Sequence, residues 1–309
     1  MRFYCLAFAA IYLLTSIILP ARICWSQDDT IRIKTDLVTI PLTVFDRDGR
    51  QISGLLKDNF RVFEDGVEQD IALFETTNTQ ITVFLLLDRS GSIGAFAAEM
   101  AEAASIFVKQ MRPGDFLLAA SFANEVDVLV PKTRIADVRN GIKIRGIRGD
   151  NNTMLFDAMD FALKKMKKVK GRKAIVLFSD GAGTPLYASA KSNLSDAEEQ
   201  ESLIYTIQYN SFMPTAPKAN RKFAEQLVAD ANKYMRDLPE KTGGRYFAID
   251  QISDLGKTFE AIVNELSQQY SLGYYPLRDR KDGERCKIAV RVNVPGLSVR
   301  SRNEVVYSK

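Results

Sequence analysis

The chain has 309 residues, of which 46% are hydrophobic and 26% are charged, and it contains three cysteines and no histidine. This composition is that of a globular protein rather than of a disordered or fibrous one. Without an imidazole there is no Ser-His-Asp or Cys-His nucleophile and no histidine-ligated zinc, which excludes much of hydrolase and metalloprotease chemistry. The formal net charge of +4 is too small for the concentrated basic face of a nucleic-acid binder, so no nucleic-acid partner is expected.

Residues 1–26 differ in character from the rest of the chain. A basic start is followed by an almost uninterrupted apolar run from Phe3 to Pro20, and Cys24 and Ser26 supply small residues before a cleavage site after Ser26. This layout predicts a signal peptide and an exported protein that is periplasmic, surface-bound or secreted. The alternative is an uncleaved membrane anchor, because about 18 apolar residues can just span a bilayer. Cleavage would leave Cys286 as the remaining cysteine, without an internal disulfide partner.

Both flanks of the chain have the alternating patterns and acidic-glycine turns of short strands. The predicted strands of the flanks are 31–34, 37–44, 60–63, 71–74, 270–275, 287–294 and 297–299. Neither flank buries enough apolar surface to be stable alone. We therefore predict an N-terminal β region (27–78) and a C-terminal β region (270–309) that pair into one small β-sandwich-like subdomain.

Residues 79–269 alternate between strands and helices. The continuous apolar run Ile81–Leu87 is typical of a strand buried on both faces of a parallel sheet. The predicted strands are 81–87, 116–122, 126–130, 174–178, 203–207 and 245–249, and the predicted helices are 96–111, 136–144, 155–169, 187–199, 223–238 and 255–268. This order predicts an α/β fold with a doubly wound, mostly parallel sheet and right-handed crossovers.

The first strand of this region ends in the sequence Asp88-Arg89-Ser90-Gly91-Ser92. Three oxygen-bearing side chains at alternate positions of a tight turn can converge on one point, as a small hard cation requires. Asp and Ser after a strand are also common helix N-cap residues, so the motif alone is weak. Thr153 before a helix and Asp180 after a buried strand add two oxygens at the same edge of the sheet, where ligands of open α/β sheets bind. Together the five residues favour a metal site.

These residues resemble the metal-ion-dependent adhesion site of von Willebrand factor A domains. The resemblance to the domain as a whole covers about residues 79–268. Asp88, Ser90 and Ser92 match the family's DxSxS motif, and Thr153 and Asp180 match its threonine and aspartate. The flanking phrases 60–66 and 242–247 resemble those of secreted bacterial, acidobacterial-type VWFA-related proteins. Two features depart from the family pattern: Asn152 stands before Thr153 where a glycine is commoner, and residues 210–222 form an insertion.

The resemblance implies a function and a set of roles. Asp88, Ser90 and Ser92 would hold a divalent cation directly, with Thr153 or Asp180 engaged directly or through water. The cation would be Mg²⁺, or else Mn²⁺ or Ca²⁺, and a Glu or Asp of a protein ligand would complete its coordination. The protein is then expected to be a non-enzymatic adhesion or protein-binding module.

Two other functions are compatible with these residues. In the first, the cation activates water in a metal-dependent hydrolase. The absence of histidine and of a second carboxylate cluster counts against this hypothesis. In the second, the protein is a structural scaffold of an envelope assembly with a vestigial metal site. The sequence does not give the ligand, the metal preference or the oligomeric state, and it predicts a membrane partner only if the signal stays uncleaved.

Overall fold

The computed structural model describes residues 37–76, 79–91, 93–138, 141–144, 153–210 and 221–307. In chain order the strands are β1 (Val38–Phe45), β2 (Phe60–Glu64), β3 (Val67–Gln69), β4 (Ile71–Glu75), β5 (Ile81–Asp88), β6 (Phe116–Phe122), β7 (Val126–Arg134), β8 (Arg172–Ser179), β9 (Leu203–Tyr209), β10 (Arg245–Ile249), β11 (Tyr270–Tyr274), β12 (Arg285–Val292), β13 (Ser298–Ser301) and β14 (Glu304–Val306). The α-helices are α1 (Ala97–Gln110), α2 (Leu155–Lys167), α3 (Ala190–Glu198), α4 (Arg221–Thr242) and α5 (Leu255–Ser267).

The apolar runs of the central region form a six-stranded sheet in the order β10-β9-β8-β5-β6-β7. All strand pairs are parallel except β6 with β7, which is antiparallel at the edge. Every residue of β5 is buried, as expected for a strand covered by helices on both faces. The prediction of a doubly wound, mostly parallel α/β sheet is confirmed.

The two faces of this sheet carry separate apolar cores. Side chains of α1 and α5 pack with one set of β5 residues, and those of α2 and α4 pack with the alternate set. The chain therefore leaves β5 toward α1 on one face, and it leaves the neighbouring β8 toward α3, whose Ala197 belongs to the core of the other face. This reversal creates a crevice between the carboxyl ends of β5 and β8, which is where open α/β sheets bind ligands.

The N- and C-terminal flanks form two four-stranded antiparallel sheets, in the orders β13-β1-β11-β4 and β14-β12-β2-β3. Each sheet mixes strands of both flanks, because β1 pairs with β11 and β13, and β2 pairs with β12. A third apolar core, with Ile40, Phe60 and Tyr270 among its fully buried members, joins the two sheets. The predicted subdomain from both flanks is thus part of the observed fold, whereas the exact domain boundaries stay predictions.

Several details of the sequence prediction need correction or fall outside the described residues. The predicted helix 136–144 is wrong: residues 135–137 make one 3₁₀ turn, and Gly141, with φ +61°, has a left-handed conformation that no α-helix continues through. The strands β3 and β14 were not predicted. The predicted signal peptide (1–26), the predicted strand 31–34 and most of the 210–222 insertion lie outside the described residues.

Within the described part of the chain, no helix combines the length and apolar character needed to cross a membrane.

Cys286 is a free, buried thiol in the third core, and burial raises its pKa to about 11. A thiol with that pKa is almost wholly protonated at neutral pH, which makes it a poor nucleophile.

Candidate metal site

Asp88 is the last residue of β5 and is completely buried. One of its carboxylate oxygens, Oδ1, accepts a hydrogen bond from the Ser90 amide at 2.8 Å. The other, Oδ2, accepts one from the Ser179 hydroxyl, at the end of β8, at 2.6 Å. Asp88 therefore connects the turn after β5 to the neighbouring strand and has its orientation fixed from both sides.

The turn after β5 holds Ser90 by backbone hydrogen bonds. The Ile93 and Gly94 amides donate to the Ser90 carbonyl oxygen at 2.9 and 2.6 Å, and the Arg89 amide donates to the Phe122 carbonyl oxygen of β6 at 2.8 Å. Ser90 is 2% exposed, and its hydroxyl oxygen has no hydrogen-bond partner among the described residues. Because a buried hydroxyl without a partner is costly, this oxygen is available to a ligand. Ser92 lies outside the described residues.

Asp180 follows β8 directly and is 3% exposed. Its Oδ1 accepts a hydrogen bond from the Ala182 amide at 2.9 Å, which closes a tight turn. Gly181 has φ +86°, and its amide donates to the Ser179 hydroxyl oxygen at 3.0 Å. A side chain on Gly181 would also meet Met235 at 2.9 Å, so both the backbone conformation and the available space require glycine here.

Thr153 is placed by backbone contacts on either side. Its carbonyl oxygen accepts the Thr184 amide at 2.9 Å, and the adjacent Met154 amide donates to the carbonyl oxygen of Ala123 at 2.8 Å. Thr153 therefore lies between the end of β6 and the loop after β8. Ser90, Thr153 and Asp180 line one cavity of about 470 Å³.

The structure thus brings together four of the five predicted residues. Three of them reach the cavity wall, and Asp88 lies behind Ser90 without lining the cavity. Whether these residues bind a metal remains a prediction. The described residues contain no group of three or more His, Cys, Asp or Glu side chains that could hold a metal ion, so any cation here must rely on hydroxyl oxygens as well as on the two carboxylates.

The electrostatics of the site fit a cation. Burial, followed by the nearby negative charge of Asp180, raises the pKa of the Asp88 carboxyl to about 7. Two buried carboxylates in proximity are costly to ionise together unless a positive charge lies between or beside them. Oxygen is the only donor element in the set, which suits Mg²⁺, Mn²⁺ or Ca²⁺ better than a soft metal.

Two residues at the site were missed by the sequence analysis. Ser179 connects Asp88 to the Gly181 amide, and its only sequence signal is a small polar residue at the end of an apolar strand, next to Asp180. Asp157, one helical turn after Thr153, accepts the Tyr187 and Ala188 amides on Oδ1 at 3.0 and 3.1 Å. Asp157 thereby fixes the loop that follows Asp180. In the sequence it looks like any acidic residue in the first turn of a helix, so no local pattern marks it.

Part of the central region matches a known protein family. Residues 83–182 match the family model of the von Willebrand factor type A domain, and they include every candidate site residue. No curated protein matches the chain.

Solved structures resemble the chain at low identity. The ArnB paralog VWA2 from Sulfolobus acidocaldarius is 15% identical, with a TM-score of 0.47 over 87% of this chain and 75% of that one. Proximal thread matrix protein 1 from the mussel byssus, with a zinc-occupied MIDAS motif, is 15% identical, with a TM-score of 0.43 over 66% of this chain and 49% of that one. Manganese-loaded TRAP protein from Plasmodium vivax is 12% identical, with a TM-score of 0.40 over 78% of this chain and 97% of that one.

Proposed function

We propose that the protein is an exported, non-enzymatic binding module, on the basis that residues 83–182 match the family model of the von Willebrand factor type A domain. In this proposal a divalent cation, Mg²⁺ foremost, is held by Asp88, Ser90, Ser92, Thr153 and Asp180. A Glu or Asp side chain of a partner protein completes the coordination. Export rests on the predicted signal peptide, residues 1–26.

One observation carries the metal site: the buried Ser90 hydroxyl, which has no hydrogen-bond partner among the described residues, lies beside two buried carboxylates at the carboxyl-end edge of the sheet. Burying an unpaired hydroxyl costs free energy, and so does burying two carboxylates close together. A bound dication would offset both costs, because it attracts all of these oxygens. When bound, such an ion would supply a strong positive centre for an incoming carboxylate.

The residues of the site would have different roles around the ion. Ser90, Thr153 and Asp180 line the cavity and would face the ion from the protein side. Asp88, which lies behind Ser90, would hold the ion from the buried side, and its two oxygens also accept hydrogen bonds from the Ser90 amide and the Ser179 hydroxyl. Capture of a carboxylate needs no bond cleavage and no proton transfer, which agrees with a site made of carboxylates and hydroxyls in a chain without histidine.

Calorimetric titration of the purified chain with Mg²⁺, Mn²⁺ and Ca²⁺ tests this function. We expect Asp180→Ala and Ser90→Ala to weaken cation affinity by roughly tenfold or more. Ser121→Ala is the matched control, because Ser121 is another buried serine whose hydroxyl has no partner among the described residues and it does not line the cavity. The absence of cation binding by the unaltered chain, or equal affinity in Ser90→Ala and Ser121→Ala, would contradict the proposal.

A further inference from the structure

A groove leads away from the candidate metal site between α3 and α4. The cavity at the site, of about 470 Å³, continues into a second cavity of about 800 Å³. The residues that line both cavities are Phe156, Gly183, Ala190, Leu227, Asp230 and Tyr234. One carboxylate side chain occupies only a small part of this space, whose volume is that of a site for a much larger ligand. We call the second cavity the α3–α4 groove.

The walls of the α3–α4 groove near the metal site are apolar except for Asp230, and they are fixed in place. Ala190, Leu194, Leu227 and Tyr234 line it. Tyr234 meets Phe156 edge-on, with ring centroids 5.0 Å apart. The wall helices are also tied by the completely buried Asn193, whose Nδ2 donates to the Phe156 carbonyl oxygen and to the Tyr234 hydroxyl, both at 2.9 Å. The groove is therefore formed before any ligand binds.

Two large apolar side chains stand exposed on the loop beside the groove. Leu186 is 56% exposed and Tyr187 is 95% exposed. They follow Pro185, which lines the groove, and the loop is held by the bonds of the Tyr187 and Ala188 amides to Asp157. Leu227, at 48% exposure, lies on the opposite wall. Exposed apolar side chains on a fixed loop next to a ligand site mark an interaction surface.

The charges along the α3–α4 groove do not repel an acidic ligand. Four basic residues and three acidic residues line it: Lys191, Lys233, Lys241, Arg285, Glu198, Asp230 and Asp237. A dication at the site would offset the charges of Asp88 and Asp180. Three of the basic residues are paired within the groove, Lys233 with Asp237 and both Lys241 and Arg285 with Glu198. The lining keeps one net positive charge, which slightly favours a negatively charged segment over a positively charged one.

The length of α3 sets how much of a ligand the groove accommodates. Its nine residues span about 14 Å, which is the length of roughly four residues of extended chain. An extended segment whose acid reaches the cation would therefore lay its next few side chains against Leu194 and Leu227, next to the loop that carries Tyr187.

We propose that the α3–α4 groove is the second half of the ligand site and determines its specificity. Its occupant is an extended segment of a partner protein in which large apolar side chains lie within about four residues of the cation-binding acid. This inference rests on the proposed function, because it places the acid at the cation. It adds a contact that the cation site alone does not require.

Selection of a randomised linear peptide library on the immobilised full chain, in Mg²⁺ and in Mn²⁺, tests the inference. We expect the enriched peptides to combine one Asp or Glu with apolar residues at a short, consistent spacing. The enriched peptides should bind the Tyr187→Ser and Leu227→Ser variants about tenfold more weakly than the unaltered chain. Cation affinity in calorimetry should stay unchanged in both variants. Tyr275→Ser and Leu277→Ser remove comparably exposed apolar side chains from the segment after β11 and serve as matched controls.

The possible failures are distinguishable. If the chain binds no cation, the proposed function falls and this inference falls with it. If the chain binds a cation but enriches no peptide, or enriches acidic peptides without an apolar preference, only the groove inference is overturned. Equal peptide binding by Leu227→Ser and Leu277→Ser would also overturn it.

Discussion

Ser179 is the residue through which the two carboxylate-bearing turns of the candidate site are joined. Its buried hydroxyl donates to Asp88 and accepts the Gly181 amide, so it orients one acid and closes the turn that carries the other. Groups that orient metal ligands in this way affect affinity strongly without touching the metal. We therefore treat Ser179 as a positioning residue.

Replacing Ser179 by alanine tests this role. Ser179→Ala should weaken cation binding by about 10- to 100-fold in calorimetry, because Asp88 loses its orienting donor. It should also lower the free energy of unfolding by about 1–3 kcal/mol, since the Gly181 amide is left without its partner. Ser202→Ala is the matched control: Ser202 is buried and its hydroxyl bonds Gln200 at 3.0 Å, away from the site. A similar stability loss without any change in cation affinity is expected there. A Ser179→Ala protein with unaltered cation affinity would contradict the role.

The pKa of Asp88 predicts how pH acts on the cation-free protein. Its pKa is about 7 in the folded chain against an ordinary value of 3.8, so the folded state holds this proton more tightly than the unfolded state does. The stability that Asp88 contributes is therefore present at low pH and is lost as pH rises toward and through 7. Above that range Asp88 is a buried anion beside a second acid.

In EDTA, Asp88→Asn should consequently raise the unfolding temperature relative to the unaltered chain more at pH 8 than at pH 5. Circular dichroism melts at the two pH values measure this difference. Asp48→Asn, on an exposed turn, controls for the general loss of one negative charge. The same temperature difference at both pH values would show that ionisation of Asp88 carries no such cost.

At the scale of elements, the junction of α4 and β10 depends on two consecutive glycines. Gly243 has φ +82°, and a side chain there would lie 2.7 Å from the backbone of Ser301 and Arg302. A side chain on Gly244 would lie 1.9 Å from the Ile204 carbonyl oxygen of β9. The sequence Thr242-Gly243-Gly244 is thus explained by packing: glycine at these positions lets β10 approach β9 and lets β13 approach the end of α4.

Gly244→Ala should therefore lower the free energy of unfolding by about 3 kcal/mol or more, because a backbone contact cannot yield as a flexible side chain can. Urea unfolding followed by fluorescence measures the change. Gly256→Ala in α5 is the matched control, since its new methyl group would meet only Ile106 at 3.6 Å, an ordinary contact. It should be neutral or stabilising by up to about 1 kcal/mol. Comparable stabilities of the two variants would refute the packing explanation.

The predicted secondary structure is correct where the hydrophobic pattern is strong. It is wrong where the backbone conformation of a single residue determines the structure. The run Ile81–Leu87 predicted β5 to within one residue, because complete burial requires an unbroken apolar strand. The predicted helix 136–144 has an amphipathic pattern but includes Gly141, whose left-handed backbone appears only in the folded chain. The three-residue strand β14 is too short for any periodic signal, and its pairing with β12 forms it.

At the scale of the whole molecule, the β flanks depend on each other while the central region has its own cores. The two cores of the central sheet consist of residues between Ile81 and Leu266, and the third core requires both flanks. Polar contacts join the parts: the buried Arg302 guanidinium donates to the carbonyl oxygens of Glu198 and Gln200, and Arg300 pairs with the buried Glu265.

A pair of truncations tests this dependence and the predicted boundaries together. A chain of residues 79–269 should be soluble and unfold cooperatively, because it retains both central cores. A chain of residues 37–269 keeps one flank only, so β1 and β2 lose β11, β12 and β13 as partners and expose open strand edges. It should aggregate. Size-exclusion chromatography and thermal melts compare the two. A monomeric, cooperative 37–269 chain would mean that the N-terminal flank folds without the C-terminal one.

The sequence by itself determined the α/β class and nominated Asp88, Ser90, Ser92, Thr153 and Asp180, because burial imposes periodicity and oxygen side chains at strand ends stand out against apolar runs. Only the tertiary structure decided that Ser179 links the acids, that Asp88 lies behind the cavity wall, and that a groove extends along α3. These features depend on contacts between residues that are far apart along the chain. Asp88 and Ser179, for example, are hydrogen-bonded, but no local sequence pattern predicts that they meet. Local sequence therefore indicates which groups reach the sheet edge, and packing decides how they face one another.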